Sequence, residues 1–139
     1  MNRKIVAQKV IDYIEEHLNE EIDLKTIAKN VDYSKFHLNR LFTAEVGCTI
    51  YHYLRARRLT TAAEKLIKTE KSLVQIAHET GYTSQQAFSM AFKQVYDYSP
   101  KIYRDIGIFS AKQEKISLLM ITVRQKFSRI TIKKARWAA

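Results

Sequence analysis

Phe36, Asn39, Arg40 and Thr43 fall at the spacing i, i+3, i+4, i+7, so a helix through them gathers all four on one stripe. Leu38, Leu41, Phe42 and Val46 form a separate apolar stripe on the same segment. The chemistry of the first stripe is pairing, not bond breaking. Arg can hold O6 and N7 of guanine with two hydrogen bonds, and Asn can do the same for N6 and N7 of adenine; Thr and Phe can meet the methyl group of thymine. A second stripe has the same phase: Gln86, Ser89, Met90 and Lys93, with Gln85 beside them, stand against apolar Phe88, Ala91, Phe92 and Val95. Gln is again an adenine reader, and Lys93 is long enough for a phosphate. Any surface helix shows a polar stripe opposite an apolar one, so a single stripe carries little weight. The pair carries more.

The pair belongs to an internal repeat. Ile27-Ala28, Tyr33-Ser34, Leu38-Asn39-Arg40-Leu41-Phe42, Thr49 and Tyr53 recur as Ile76-Ala77, Tyr82-Thr83, Phe88-Ser89-Met90-Ala91-Phe92, Ser99 and Tyr103, offset by 49 residues before the turn and 50 after it. Each copy reads as a short helix, a tight turn and a second helix. Both second helices open on small hydroxyl residues, and the free backbone N–H groups at a helix start can hold a phosphate. Ser34, Lys35 and His37 are the phosphate candidates in the first copy, and Thr83, Ser84 and Lys93 in the second. Two similar helices suit a periodic partner, and duplex DNA brings round a major groove once per turn.

The remaining elements must position those two helices. Apolar residues at 6, 10, 14 and 18 mark an amphipathic helix over Ile5 to Leu18. Asp23 caps a short helix from Leu24 to Val31, Ser34 caps one ending near Val46, and Gly47 terminates it. Thr49 opens a longer helix to about Lys68, whose roughly 20 residues span on the order of 30 Å and suit a rod between modules. Ser72 caps a helix to Glu79, Gly81 turns the chain, and Thr83 or Ser84 caps a helix to about Tyr96. Pro100 sits in the first turn of a last helix reaching about Arg104. The expected fold is all-α: about seven helices, with two helix-turn-helix subdomains (5–48 and 69–106) joined by the long helix 49–68, together making a domain over 1–106. Residues 107–139 form a basic C-terminal extension. Its β-branched runs Ile116 to Val123 and Phe127 to Ile132 allow a short hairpin, and a disordered arm fits equally well.

Composition narrows the function. The net charge is +10 over 139 residues, and 107–139 hold eight Lys and Arg against one acidic residue, so +7 of it lies in the extension. A basic balance suits a polyanionic partner. The run Leu118 to Val123 is far too short to span a membrane, and the N-terminus lacks the apolar stretch of a signal peptide. A lone Cys48 excludes a disulfide framework, which fits a soluble cytoplasmic protein. The four histidines, at 17, 37, 52 and 78, have no metal-ligand spacing. Neither a phosphate loop nor a Ser/His/Asp pattern appears. An enzyme is therefore not expected, nor is a metal or cofactor. Structure-selective binding to RNA or bent DNA, as in an architectural protein, is the non-regulatory alternative.

Three segments carry a family resemblance: Ile76-Ala77-His78-Glu79-Thr80-Gly81-Tyr82, Phe88-Ser89-Met90-Ala91-Phe92-Lys93 and Ser99-Pro100-Lys101-Ile102-Tyr103-Arg104. Together they resemble the signature of the AraC/XylS family of transcriptional regulators. The run from Tyr33 to Phe42, with Gln85-Gln86, is closest to its MarA/SoxS/Rob group. The resemblance covers about residues 5–106. It implies a DNA-binding domain of seven helices that binds promoters, often activating through RNA polymerase; a monomer on DNA is expected over a dimer. It also implies that Phe36, Asn39 and Arg40 touch bases from the first recognition helix, and Gln85, Gln86, Ser89 and Met90 from the second. Two departures stand out. Met90 occupies a place where close relatives usually carry Arg, and Asp32 and Asp97 occupy places where Gly is common. Asp tolerates the left-handed conformation, so both turns are expected to survive.

Overall fold

The structure is a computed structural model and describes residues 2–123. The described residues are helical, with no strand among them. In chain order the first seven helices are α1 (Arg3–Glu16), α2 (Leu24–Asn30), α3 (Lys35–Val46), α4 (Ile50–Lys68), α5 (Leu73–Glu79), α6 (Gln85–Tyr96) and α7 (Pro100–Ile106), and residues 118–123 are helical as well. The caps are side chains that accept the otherwise orphaned N–H groups of the first turn. Asp23 accepts from Thr26, Ser34 from His37, Ser72 from Gln75, Ser84 from Ala87 and Ser99 from Ile102, at 2.8 to 3.3 Å. Thr49 does the same for His52 at 3.1 Å. Gly47, Asp32 and Asp97 adopt left-handed backbone at φ 101°, 61° and 69°, so both aspartates take the conformation that the turns require. Gly81 also has positive φ, 92°, and a Cβ there would stand 3.1 Å from the Arg58 guanidinium carbon.

The described chain divides into two compact units. One comprises the residues up to His17, Ile22–Leu54 and the chain from Lys115; the other comprises Leu18–Glu21 and Arg55–Glu114. In the first unit α1 and α2 both pack on α3. Val6, Val10, Ile11 and Ile14 of α1 are buried, as are Ile27 and Ala28 of α2 and Leu38, Leu41, Phe42 and Val46 of α3. Each large side chain buried this way contributes about 1.5–3 kcal/mol. At its edge Arg3 pairs with Glu45 at 3.3 Å.

The core of the second unit gathers Leu59, Ala62, Ala63, Leu66, Ile76, Ala77, Phe88, Ala91, Phe92, Tyr96 and Tyr103. Phe92 and Tyr96 stack at 4.6 Å between ring centroids, and Tyr103 meets both edge-on at 5.3 and 5.0 Å. Arg104 closes the end of α4. Its guanidinium donates at 2.8 Å to the carbonyl of Leu66, an acceptor in the last turn of the helix, and at 2.7 Å to that of Lys71 in the connection to α5.

Beyond α7 the chain stays tied to the helices. In the second unit Ser110 accepts from the Tyr96 hydroxyl and donates to that of Tyr103, both at 2.9 Å. Buried Gln113 donates its N–H to Thr60 Oγ1 at 2.9 Å, and its carbonyl accepts from Arg57 at 2.7 Å. In the first unit Ile116 donates to the Tyr53 hydroxyl at 3.1 Å, and Ile121 is buried. The hairpin expectation is corrected here: residues 118–123 are helical. Ser117 supplies the cap, accepting the Met120 N–H at 3.2 Å, and burial of Ile121 on a helical face outweighs the weak strand preference of β-branched side chains. The partner segment Phe127 to Ile132 lies outside the described residues.

Candidate nucleic-acid interface

α3 and α6 are amphipathic for the same reason. Their inward stripes are fixed by Leu38, Leu41, Phe42 and Val46 in one and Phe88, Ala91, Phe92 and Tyr96 in the other, and the opposite stripes are left to water. Phe36, Arg40 and Thr43 are exposed on α3, and Gln85, Gln86, Met90 and Lys93 on α6, while Ser89 is half-buried. Two of these exposures cost free energy in water. Phe36 is 74 % exposed and Met90 63 %, which leaves large apolar groups free to desolvate against a partner.

In the first unit Lys35, Phe36, Asn39, Arg40 and Thr43 share a site, which Ser34 and His37 do not line. An open concavity of about 940 Å³ is lined by Asp23, Leu24 and Lys25 at the start of α2 and by Lys35, Phe36, Asn39, Arg40, Thr43 and Ala44 of α3. The Lys35 ammonium lies 5.5 Å from the centre of the Phe36 ring, a cation–π contact that holds charge beside the aromatic face. Ser34 accepts the His37 N–H through Oγ, so its hydroxyl proton is left to donate. His37 is exposed and lies edge-on to Tyr33 at 5.1 Å. In the second unit Ser84, not Thr83, is the cap; both are exposed at the start of α6 beside Gln85.

Asn39 departs from the expectation. It is half-buried, and its Oδ1 accepts the N–H of Ile50 at 3.1 Å, so the carboxamide is turned toward the first residue of α4. Its own carbonyl accepts the Thr43 hydroxyl at 2.8 Å. Thr43 therefore spends its proton inside the helix and offers a methyl group outward.

The sequence reading missed the contribution of α2. Lys25 adds a third cation to the rim, and Asp23 adds a carboxylate held below its usual pKa, chiefly by the backbone N–H of Thr26. Lys25 follows a cap by two residues, a spacing that places it at a helix start, but its meeting with α3 depends on tertiary packing. Arg55 of α4 was missed as well; it donates to Gln94 Oε1 at 3.1 Å, next to Lys93 on α6. The rim of the first concavity sums to three cations and one anion, a surface suited to an anionic partner that offers hydrogen-bonding edges.

A family model described as a helix-turn-helix domain matches residues 27–106. The regulatory protein SoxS of Salmonella typhimurium is 38 % identical over 104 residues, which is 75 % of this chain and 97 % of SoxS. Among solved structures, a Chromobacterium violaceum transcriptional regulator described as having an AraC-type DNA-binding domain superposes with a TM-score of 0.70 at 27 % identity, covering 73 % of this chain and 91 % of that one. The DNA-binding domain of AdpA, solved with a target DNA, superposes with a TM-score of 0.68 at 26 % identity, over 72 % and 90 % of the two chains. The chain belongs to the AraC/XylS family of helix-turn-helix transcriptional regulators, with SoxS of the MarA/SoxS/Rob group among its relatives.

Proposed function

We propose that this protein is a sequence-specific, double-stranded DNA-binding transcriptional regulator of the cytoplasm, and an activator, which places α3 and α6 in successive major grooves of a promoter site. The observation that carries the reading is the concavity beside α3. It puts Arg40, which can pair with guanine, between Phe36 and Thr43, which can meet thymine methyls, and it surrounds them with phosphate-seeking Lys25 and Lys35. Residues 1–106 serve as the DNA-binding domain, with 49–68 as the link between its halves. On α6, Gln85, Gln86, Ser89 and Met90 read bases. Ser34, Lys35, His37, Thr83, Ser84 and Lys93 hold phosphates.

Asn39 supports rather than reads: with Oδ1 on Ile50, it fixes α3 to the start of α4. The protein acts as a monomer on one duplex and engages RNA polymerase through a surface outside the two reading faces. The co-structure of AdpA with DNA supports duplex DNA as the partner by likeness of fold.

Selection of bound fragments from a random duplex pool tests the reading. An enriched sequence bound about 10³-fold or more over random duplex is expected. Equal affinity for all sequences would instead make it a non-regulatory nucleic-acid binder.

A further inference from the structure

The two halves of the repeat are copies, so each serves as a reference for the other. The offsets of 49 and 50 residues put Val74 at the place of Lys25, Gln85 at that of Lys35 and Met90 at that of Arg40. In the first unit those three positions line the concavity, and all three carry a cation. In the second none does, and two are apolar and outward: Val74 and Met90 are each 63 % exposed.

Methionine has no hydrogen-bond donor and only a weak acceptor, so Met90 cannot make the paired bonds to guanine that are open to Arg40. Its gain on meeting a duplex is the removal of a flexible, polarisable thioether from water against another apolar group. The major groove offers such a group at each A·T pair, the C5 methyl of thymine. Gln86, exposed one turn earlier on α6, has the carboxamide that pairs with N6 and N7 of adenine. The outward chemistry of α6 is therefore an amide for adenine and a thioether for the methyl of thymine.

We propose that α6 recognises a 5-methylpyrimidine, Met90 packing on the thymine methyl of an A·T pair, so that the second half-site is chosen by methyl burial while Arg40 chooses guanine in the first. The proposal rests on the reading of this protein as a DNA-binding regulator.

The test uses the full chain and the sequence enriched from a random pool. Each thymine is replaced singly by deoxyuridine, which removes the methyl alone. The half-site of α6 is the one that does not contain the base pair whose choice Arg40→Ala relaxes. One thymine there should lose about fourfold in affinity, the equivalent of one buried methyl. Met90→Ala should bring the thymine-to-uracil ratio at that position to one, and Met90→Leu should preserve it, with circular dichroism confirming that both variants are folded. Deoxyuridine tolerated throughout that half-site, while the unmodified sequence is still preferred about 10³-fold over random duplex, overturns the methyl proposal and leaves the regulator reading intact. A thymine-to-uracil ratio unchanged in Met90→Ala overturns it too. A pool that yields no enriched sequence overturns both readings.

Discussion

Replacing Asn39 separates a supporting role from a base-reading one. Asn39→Ala removes the acceptor that holds the Ile50 N–H at 3.1 Å, while Thr49 continues to cap His52. One lost intramolecular bond is worth about 0.5–1.5 kcal/mol net. The bond is only partly buried, so water replaces some of it, and a cost of about 1 kcal/mol is expected. With a urea slope of about 1–3 kcal/mol/M, the denaturation midpoint should fall by about 0.3–1 M. Binding, measured by fluorescence anisotropy on the enriched duplex and on single-base variants, should weaken by the same factor for every sequence. Asn39→Asp sharpens the test. The aspartate keeps the acceptor and adds a negative charge at the start of α4, which the helix dipole favours, so stability should hold or rise. The same charge would sit in the concavity proposed to meet DNA, so affinity should drop and the salt dependence should flatten. The reasoning is refuted if Asn39→Ala leaves the midpoint unmoved and relaxes an adenine preference at a single base pair.

Three further outcomes follow from the same structure. Arg40→Ala should cost about 1–3 kcal/mol on the enriched site and relax choice at one base pair, read by competition among single-base variants; uniform weakening would assign Arg40 to phosphate. Ser84→Ala strips the cap from α6 and should destabilise the fold by about 0.5–2 kcal/mol in urea denaturation, whereas Thr83→Ala, one residue outside the cap, should leave stability nearly unchanged. Glu79 has its carboxyl pKa lowered from 4.5 to about 2 by hydrogen bonds from Lys65 and Lys71. Because the folded value is depressed, the pairing stabilises the fold above pH 4.5 and is lost as the pH falls through about 2. Glu79→Gln should cost about 1 kcal/mol at neutral pH, a figure kept small by water screening of an accessible network, and should flatten the stability curve between those two values.

The helices were legible because their signals are local. Asp23, Ser34 and Ser72 cap where small hydroxyl or carboxyl residues precede apolar periodicity, and Gly47 ends α3 as a terminal glycine should. The outward stripe of α3 was legible for the same reason, since the burial of Leu38, Leu41 and Phe42 fixes its phase. What escaped depends on contacts distant in sequence. Asn39 faces Ile50, eleven residues on, and nothing in its own helix distinguishes a side chain that reads a base from one that holds a neighbouring helix. Lys25 joins the concavity only because α2 packs on α3. The stretch 118–123 carries strand-forming residues, yet the Ser117 cap and the burial of Ile121 make it helical.

The proposed function has one duplex read by both α3 and α6. Adjacent major grooves return every 10–10.5 bp or so, which places the half-sites of the enriched sequence about 34–36 Å apart. The decisive measurement is affinity for that sequence after about five base pairs, half a turn, are inserted between its half-sites. Loss of sequence-specific binding, down to the level of random duplex, is the predicted result. Affinity unchanged by the half-turn insertion would mean that a single helix does the reading, and would contradict the account.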